Sequence, residues 1–246
     1  MKINFPPPVF IPRTASTNSY LAALCDSRTL PELTCVYTAF QSSGRGQRGN
    51  SWESEDGKNL LFSFVLFPDF VEARKQFCLS QITAIALQET LSQYADGITI
   101  KWPNDIYWRD RKLCGTLIEN DLTGQHITRS ISGTGVNLNQ ETFVSDAPNP
   151  VSLKQITGRD FDSLGMLSEI MGRVAWHYAR LKAGGTDDLR SAYLSHLYRR
   201  EGMHPYSDKD GSFVARIIGI ELSGKLMLED DKGVMREYMF KEVVFK

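Results

Sequence analysis

Two arginines and three glycines crowd into Gly44-Arg45-Gly46-Gln47-Arg48-Gly49, and Trp52 follows closely. Glycine lets a backbone approach a ligand closely and take conformations closed to other residues. Successive N–H groups in such a loop form a concavity for an anion, and guanidiniums add forked donors suited to carboxylate or phosphate. Further along lie Lys101, Asn104, Asp105, Lys112 and Asn137, each where a strand is expected to end or bend. Cations offset phosphate charge, an aspartate can hold Mg²⁺, and an asparagine presents paired donors and acceptors to a base. The set suits phosphoryl or nucleotidyl transfer. Each member also has a plain reading: a mobile surface loop, a Pro-Asn-Asp turn, a solvated lysine, a glycine bulge with turn asparagines.

The elements that must carry these residues are legible in outline. Cys35-Val36-Tyr37-Thr38-Ala39-Phe40 and Leu60 to Phe67 read as apolar strands on either side of the glycine loop. Gly44-x-Gly46-x-x-Gly49 has dinucleotide-motif spacing, but a strand rather than a helix follows, which argues against a dinucleotide fold. No Gly-x-x-x-x-Gly-Lys-Ser/Thr occurs. Residues 1 to 13 are extended and proline-rich. Ser16 or Thr17 is placed to cap a short helix with Tyr20, Leu21 and Leu24 on its apolar face, or else to turn its hydroxyl toward a polar ligand. Gln76 to Tyr94 has the stripe of a helix covering a sheet. Ile98 to Lys101 is a short strand ended by Trp102-Pro103-Asn104-Asp105. Ile106 to Trp108 and Lys112 to Glu119 form a hairpin about Arg109-Asp110-Arg111, and Gly115 within it signals close approach by a ligand or another backbone. After a turn at Asp121-Leu122-Thr123-Gly124, Ile127 to Val136 is a strand whose glycines would let a flat ligand lie against the backbone.

Residues 140 to 161 read as a loop with a short helix near Ser152. A helix capped by Asp162 or Ser163 runs to Lys182 and ends at Gly184-Gly185, and another starts at Thr186. From Met203 the period changes to two. Phe213 to Leu222, Lys225 to Glu229 and Val234 to Phe240 read as strands of a β unit of about forty residues, too small to be very stable unless packed on the rest. The expected organisation is therefore α+β: residues 1–202 as a mixed or antiparallel sheet covered by helices, and residues 203–246 as a small β domain.

Composition excludes several classes. Hydrophobic residues make up 41% and charged residues 23%, ordinary for a globular protein. The net charge of −1 supplies no field toward nucleic acid or anionic membrane. The densest apolar run, Leu60 to Phe67, is too short to span a bilayer, and Pro6-Pro7-Pro8 breaks any signal-peptide core. Cys25, Cys35, Cys78 and Cys114 are scattered, as expected of free thiols in a reducing cytoplasm, and the four histidines have no metal-ligand spacing.

Taken in order, Ser16-Thr17-Asn18, Gln41 to Trp52, Lys101-Trp102-Pro103-Asn104-Asp105, Lys112-Leu113-Cys114-Gly115 and Gly133 to Asn137 resemble the biotin–protein ligases over essentially the whole chain. Lys-Trp-Pro-Asn-Asp followed closely by Arg-Lys-Leu-x-Gly is quite specific; the glycine loop alone would not be. The resemblance implies a class II synthetase-like catalytic domain with an SH3-like C-terminal barrel. It also implies a two-step reaction. Biotin's carboxylate attacks the α-phosphate of ATP to give biotinyl-5′-AMP, and a lysine of a biotin carboxyl carrier protein then takes the biotinyl group. Lys112, Arg45, Arg48 and Asp105 would be catalytic, with Mg²⁺ on the polyphosphate and Asp105 serving either the metal or the acceptor lysine. Biotin would meet Ser16, Thr17, Asn18, Gln41, Arg45, Gly46, Gln47, Lys112 and Gly115; ATP would meet Arg45, Arg48, Trp52, Lys101, Asn104 and Asn137. The glycine loop, residues 43 to 57, is expected to be poorly ordered without ligand and to close over the adenylate.

Two departures stand out. The common family loop reads Gly-Arg-Gly-Arg-Arg-Gly, and Gln47 here removes one cation, weakening adenylate retention unless Arg48 compensates. The ligand-binding region begins near residue 14, so the expectation is an enzyme-only form without a DNA-binding domain, a monomer or weak homodimer. Lipoate–protein ligase is the nearest rival, and a non-catalytic nucleotide- or RNA-binding module is the rival from another class.

Overall fold

The computed structural model describes residues 5–47, 50–145 and 148–246. The central strand β3 (Leu60–Leu66) explains the layering. Leu60, Phe62, Phe64 and Leu66 enter the main core, whereas Val65 joins a smaller cluster on the opposite face with Leu21, Val36 and Ile131. A strand buried on both faces reads as a continuous apolar run, and Ser63 is the polar exception inside it.

β3 sits in a seven-stranded sheet with β1 (Val9–Thr14), β2 (Cys35–Gln41), β4 (Ile98–Lys101), β5 (Asp105–Trp108), β6 (Arg111–Thr123) and β7 (His126–Val136), in the order β1-β2-β3-β7-β6-β5-β4. Only β1 and β2 run parallel, so the sheet is mixed, as expected. The proline-rich start proves to contain a strand. β1 is an edge, and Pro12, which has no N–H to give, falls between the residues paired with β2. The turn expected at 121–124 lies later, because β6 continues through a bulge at Asp121/Leu122 to pair Thr123 with His126.

Helix α1 (Thr17–Ser27) lies on one face of the sheet. On the other is α2 (Phe77–Leu91), shorter than the expected 76–94. Thirteen of its fifteen residues are buried, so it is a central helix rather than a cover. Over it pack α4 (Ser163–Lys182) and α5 (Thr186–Ser195), after the short α3 (Leu153–Thr157). Ser152 and Gln155 form a capping box on α3. Asp162 caps α4, and at its far end Gly184 (φ +91°) and Gly185 return their N–H groups to Leu181 and Arg180.

The C-terminal unit is an antiparallel sheet ordered β11-β10-β9-β8-β12: β8 (His204–Asp208), β9 (Gly211–Ile220), β10 (Leu226–Asp230), β11 (Met235–Tyr238) and β12 (Val244–Phe245). Three of these strands were legible in the sequence. β8 carries Pro205 and has one fully buried side chain, Tyr206, and β12 is two residues long, so neither has a period to read. The unit packs on the main sheet. Trp102 Nε1–H donates to the Gly224 carbonyl (2.9 Å), and Phe240 lies against Trp102 and Phe77.

Candidate functional site

The glycine loop folds back on itself. Gly46 N–H donates to Asn50 O (2.8 Å), Trp52 N–H donates to Gly44 O (2.9 Å), and Arg45 pairs with Ser51 across the turn. A Cβ on Gly44 would lie 2.6 Å from the Trp52 carbonyl oxygen, so this hairpin needs glycine there. Arg48 lies outside the described residues. The hairpin is one wall of a cleft of ≈ 760 Å³, within the range of small-molecule sites. All the other site residues expected from the sequence, from Ser16 on α1 to Asn137 beyond β7, line this one cleft.

At the inner end, Ser16 occupies the N-cap position of α1, but its hydroxyl does not cap the helix. Gln41, at the end of β2, supplies the acceptor instead. Its Oε1 receives Thr17 N–H (2.8 Å) and the Thr17 hydroxyl (3.1 Å), which leaves the amide NH₂ as the donor end. Ser63 Oγ is 2.7 Å from Thr17 Oγ1 and donates to Asn18 Oδ1 (2.6 Å). Asn18 Nδ2 in turn donates to Glu119 Oε2 (2.8 Å), whose carboxylate also receives both terminal nitrogens of Arg45 at 3.0 and 2.8 Å. A continuous polar relay thus runs from β2 through α1 and β3 to the hairpin. Gly133 makes room for it: a Cβ there would sit 2.0 Å from Asn18 Oδ1.

The middle of the cleft holds Trp52. Cβ atoms on Gly135 and Gly115 would come within 2.3 and 2.8 Å of its indole, so the flat group against these glycines here is the protein's own Trp52. Its Nε1–H is buried without a partner among the described residues. Lys112, at the start of β6, pairs with Asp105 of β5 (2.8 Å) and sits 5.8 Å from the indole centroid. Lys101, at the end of β4, donates to Tyr107 Oη (3.0 Å) and faces the Phe245 ring of the C-terminal sheet. Burial lowers its pKa below that of an ordinary lysine.

Two of the expected nucleotide ligands use their donors on the backbone. Asn104 Nδ2 bonds the Thr116 carbonyl, which fixes the turn after the cis Trp102–Pro103 bond. Asn137 Nδ2 bonds Val151 O (3.1 Å) and thereby holds the segment before α3. Asn104 keeps its second amide N–H and its carbonyl oxygen for a ligand, whereas Asn137, whose amide also reaches the Lys112 carbonyl (3.5 Å), keeps its carbonyl oxygen.

Sequence reasoning missed Ser63, Glu119, Glu53 and Gln140. The signal for Ser63 was a lone hydroxyl in an apolar strand, and for Glu119 a carboxylate on the same strand as Lys112. Glu53 accepts the backbone N–H groups of Val144 (2.9 Å) and Ser145 (2.8 Å) and the Gln140 amide (3.3 Å), clasping residues 140–145 beside the hairpin. Burial alone would raise its pKa; hydrogen bonds from Ser145, Val144 and Gln140 hold it below the usual carboxylate range.

Among the described residues no three ligating side chains converge, and Asp105 is engaged by Lys112. Nor is any described helix long and apolar enough to cross a membrane. What the cleft does offer is an uncharged polar inner end, a lysine and an arginine at its middle and a flat indole beside them. That arrangement can hold a small polar ring with a carboxylate tail next to a phosphate.

The model of the family described as Biotin/lipoate A/B protein ligase matches residues 10–137. The biotin–[acetyl-CoA-carboxylase] ligase of Paracoccus denitrificans is 30% identical over 230 residues, covering 90% of this chain and 93% of that one. The bifunctional ligase/repressor BirA of Bacillus subtilis (strain 168) is 28% identical over 214 residues, covering 85% of this chain, while the match spans 65% of BirA. Among solved structures, biotin protein ligase from Aquifex aeolicus in complex with biotin and ATP superposes with a TM-score of 0.81 at 22% identity, covering 98% of this chain and 99% of that one. At that identity the last likeness is one of fold.

Proposed function

Since the chain belongs to the biotin/lipoate A/B protein ligase family, we propose that it is an ATP-dependent biotin–protein ligase, which forms biotinyl-5′-AMP and transfers the biotinyl group to a lysine of a biotin carboxyl carrier protein. In the first step a carboxylate oxygen of biotin attacks the α-phosphorus of ATP, a new O–P bond forms, and the bond to the β-phosphate breaks with release of pyrophosphate. In the second the acceptor amine attacks the activated carbonyl, the mixed-anhydride C–O bond breaks, and AMP leaves while the amine loses its proton.

The first step brings two anions together, so positive charge must stand where they meet. Arg45 and Lys112 supply it, each exchanging part of its hold on a carboxylate for the substrates. Asp105 orients Lys112 at the junction. Mg²⁺ enters with ATP, on the phosphates, as is usual for an ion that keeps few protein ligands. Lys101 faces the polyphosphate, and the hairpin excludes water from the labile anhydride.

The observation that carries this reading is the relay at the inner end, Gln41–Thr17–Ser63–Asn18. A ureido ring has two N–H donors and one carbonyl acceptor, and needs such fixed partners. Lipoate's dithiolane has no polar group to satisfy, and a buried polar site would disfavour it. The test is mass spectrometry of the purified protein after incubation with MgATP and either biotin or lipoate. A bound biotinyl-adenylate supports the reading. Lipoyl-adenylate alone would assign the rival acid, and neither adenylate, with no pyrophosphate released, would leave a binding module.

A further inference from the structure

Glu119 sets a carboxylate beside the cation that, on the ligase reading, must meet two anionic substrates. Left to electrostatics alone this placement works against catalysis, so it calls for a reason. The geometry supplies one. Arg45 donates to Oε1 and Oε2 through separate terminal nitrogens at 3.0 and 2.8 Å, and Oε2 also receives Asn18 Nδ2 at 2.8 Å. A two-point fork fixes the plane of a guanidinium as well as its position. Among the described residues nothing takes the second N–H on each terminal nitrogen or Nε–H, which leaves them to a ligand. Asn18 is itself locked by Ser63 and by the Leu117 carbonyl (3.3 Å). The hairpin is thereby referenced to the rigid inner end of the cleft.

We infer that Glu119 is a positioning residue for Arg45. It anchors the hairpin's cation over the cleft and ties its orientation to the relay that receives the ureido ring. The inference rests on the ligase reading for its catalytic consequence, but the anchoring itself does not. Both partners are nearly half exposed, at 45% and 42%. Pairs of this kind contribute little to global stability, so removing the carboxylate loosens the hairpin without unfolding the chain. The opposite role is equally definite: a carboxylate that plugs the anion site would, on removal, tighten the hold on the adenylate.

The experiment is a double-mutant cycle of Glu119→Ala and Arg45→Ala in the full chain. Amide hydrogen exchange over residues 44–47 and 50–52 is followed without substrates, and the release rate of biotinyl-adenylate is followed after its formation. Glu119→Ala is expected to speed both by roughly tenfold, with the melting temperature nearly unchanged, and to add nothing in the Arg45→Ala background. Glu119→Gln, which keeps an acceptor but loses the charge, falls between. Unchanged exchange in Glu119→Ala, slower adenylate release, or additive effects of the two substitutions would overturn the inference. Should the wild-type protein form no adenylate, the ligase reading fails, while the exchange comparison still decides whether Glu119 anchors Arg45.

Discussion

Gly135→Ala isolates the contribution of Trp52 without touching Trp52. Gly135 pairs with Leu61 of β3 and Gly115 of β6, and its φ lies outside the left-handed region, so an alanine backbone fits there unstrained. The added Cβ would lie 2.3 Å from Cε2, 2.4 Å from Nε1 and 2.7 Å from Cζ2 of the indole. Three atoms of one rigid ring cannot all retreat by a small rotation, so the indole must leave its slot. Expelling a large apolar side chain forfeits about 2 kcal/mol of burial, or ~30-fold in the equilibrium for closing the hairpin. The strands keep their pairing, so the global melting temperature should move little. Expected are a KM for ATP and an adenylate release rate raised about 30-fold, measured by pyrophosphate release and by washout of labelled adenylate. Gly115→Ala meets the ring only at Cζ3, at 2.8 Å, and should do less. In a Trp52→Ala background, Gly135→Ala should have almost no further effect. A Gly135→Ala enzyme with wild-type adenylate retention, or one equally impaired with and without Trp52, would refute this account of the slot.

Other consequences follow from the same geometry. Ser63→Ala leaves Asn18 Oδ1 without its donor in a buried site, which should cost about 1–3 kcal/mol and raise the KM for biotin more than that for ATP; steady-state kinetics with each substrate varied checks it. Because the folded pKa of Glu53 is lowered, its clasp contributes stability above the unfolded carboxylate value of about 4.3 and loses it as pH falls through the lower folded value. The difference in melting temperature between wild type and Glu53→Gln should therefore be steady at neutral pH and close in strong acid. Burial disfavours the charged form of Lys101, so the protein gives up that charge at a lower pH than the usual 10.5. The kcat/KM for ATP should then fall on an alkaline limb below 10.5, and Lys101→Arg should move that limb upward.

Much of this was legible because local chemistry repeats a local pattern. The apolar run Cys35–Phe40, the short helix near Ser152, the cap at Asp162 and the glycines after Lys182 each dictate a nearby shape, and the structure has those shapes. Lys101, Asn104, Asp105, Lys112 and Asn137 were legible as a set because each ends or bends a strand. What stayed hidden depends on register between distant segments. Glu119 reaches Arg45 only because β6 pairs with β7 in a register that brings it beside α1, seventy-four positions from its partner. Ser63 joins the relay because β3 turns alternate side chains to opposite faces, which tells nothing of what waits there. Trp52 was expected beside a ligand, and the slot between Gly115 and Gly135 that now holds it could not be seen from spacing alone. Asn104 and Asn137 carried the right chemistry for a base, yet both close backbone gaps first.

The central claim is that Arg45 and Lys112 stand where the carboxylate and the α-phosphate join. The most direct measurement is single-turnover formation of biotinyl-adenylate from saturating biotin and MgATP by Lys112→Ala, alongside wild type. Losing a charged donor in a water-excluded site costs about 2–4 kcal/mol of transition-state stabilisation, so the rate should fall by roughly 30- to 1000-fold with folding intact. A folded Lys112→Ala protein that forms the adenylate at the wild-type rate would contradict the claim.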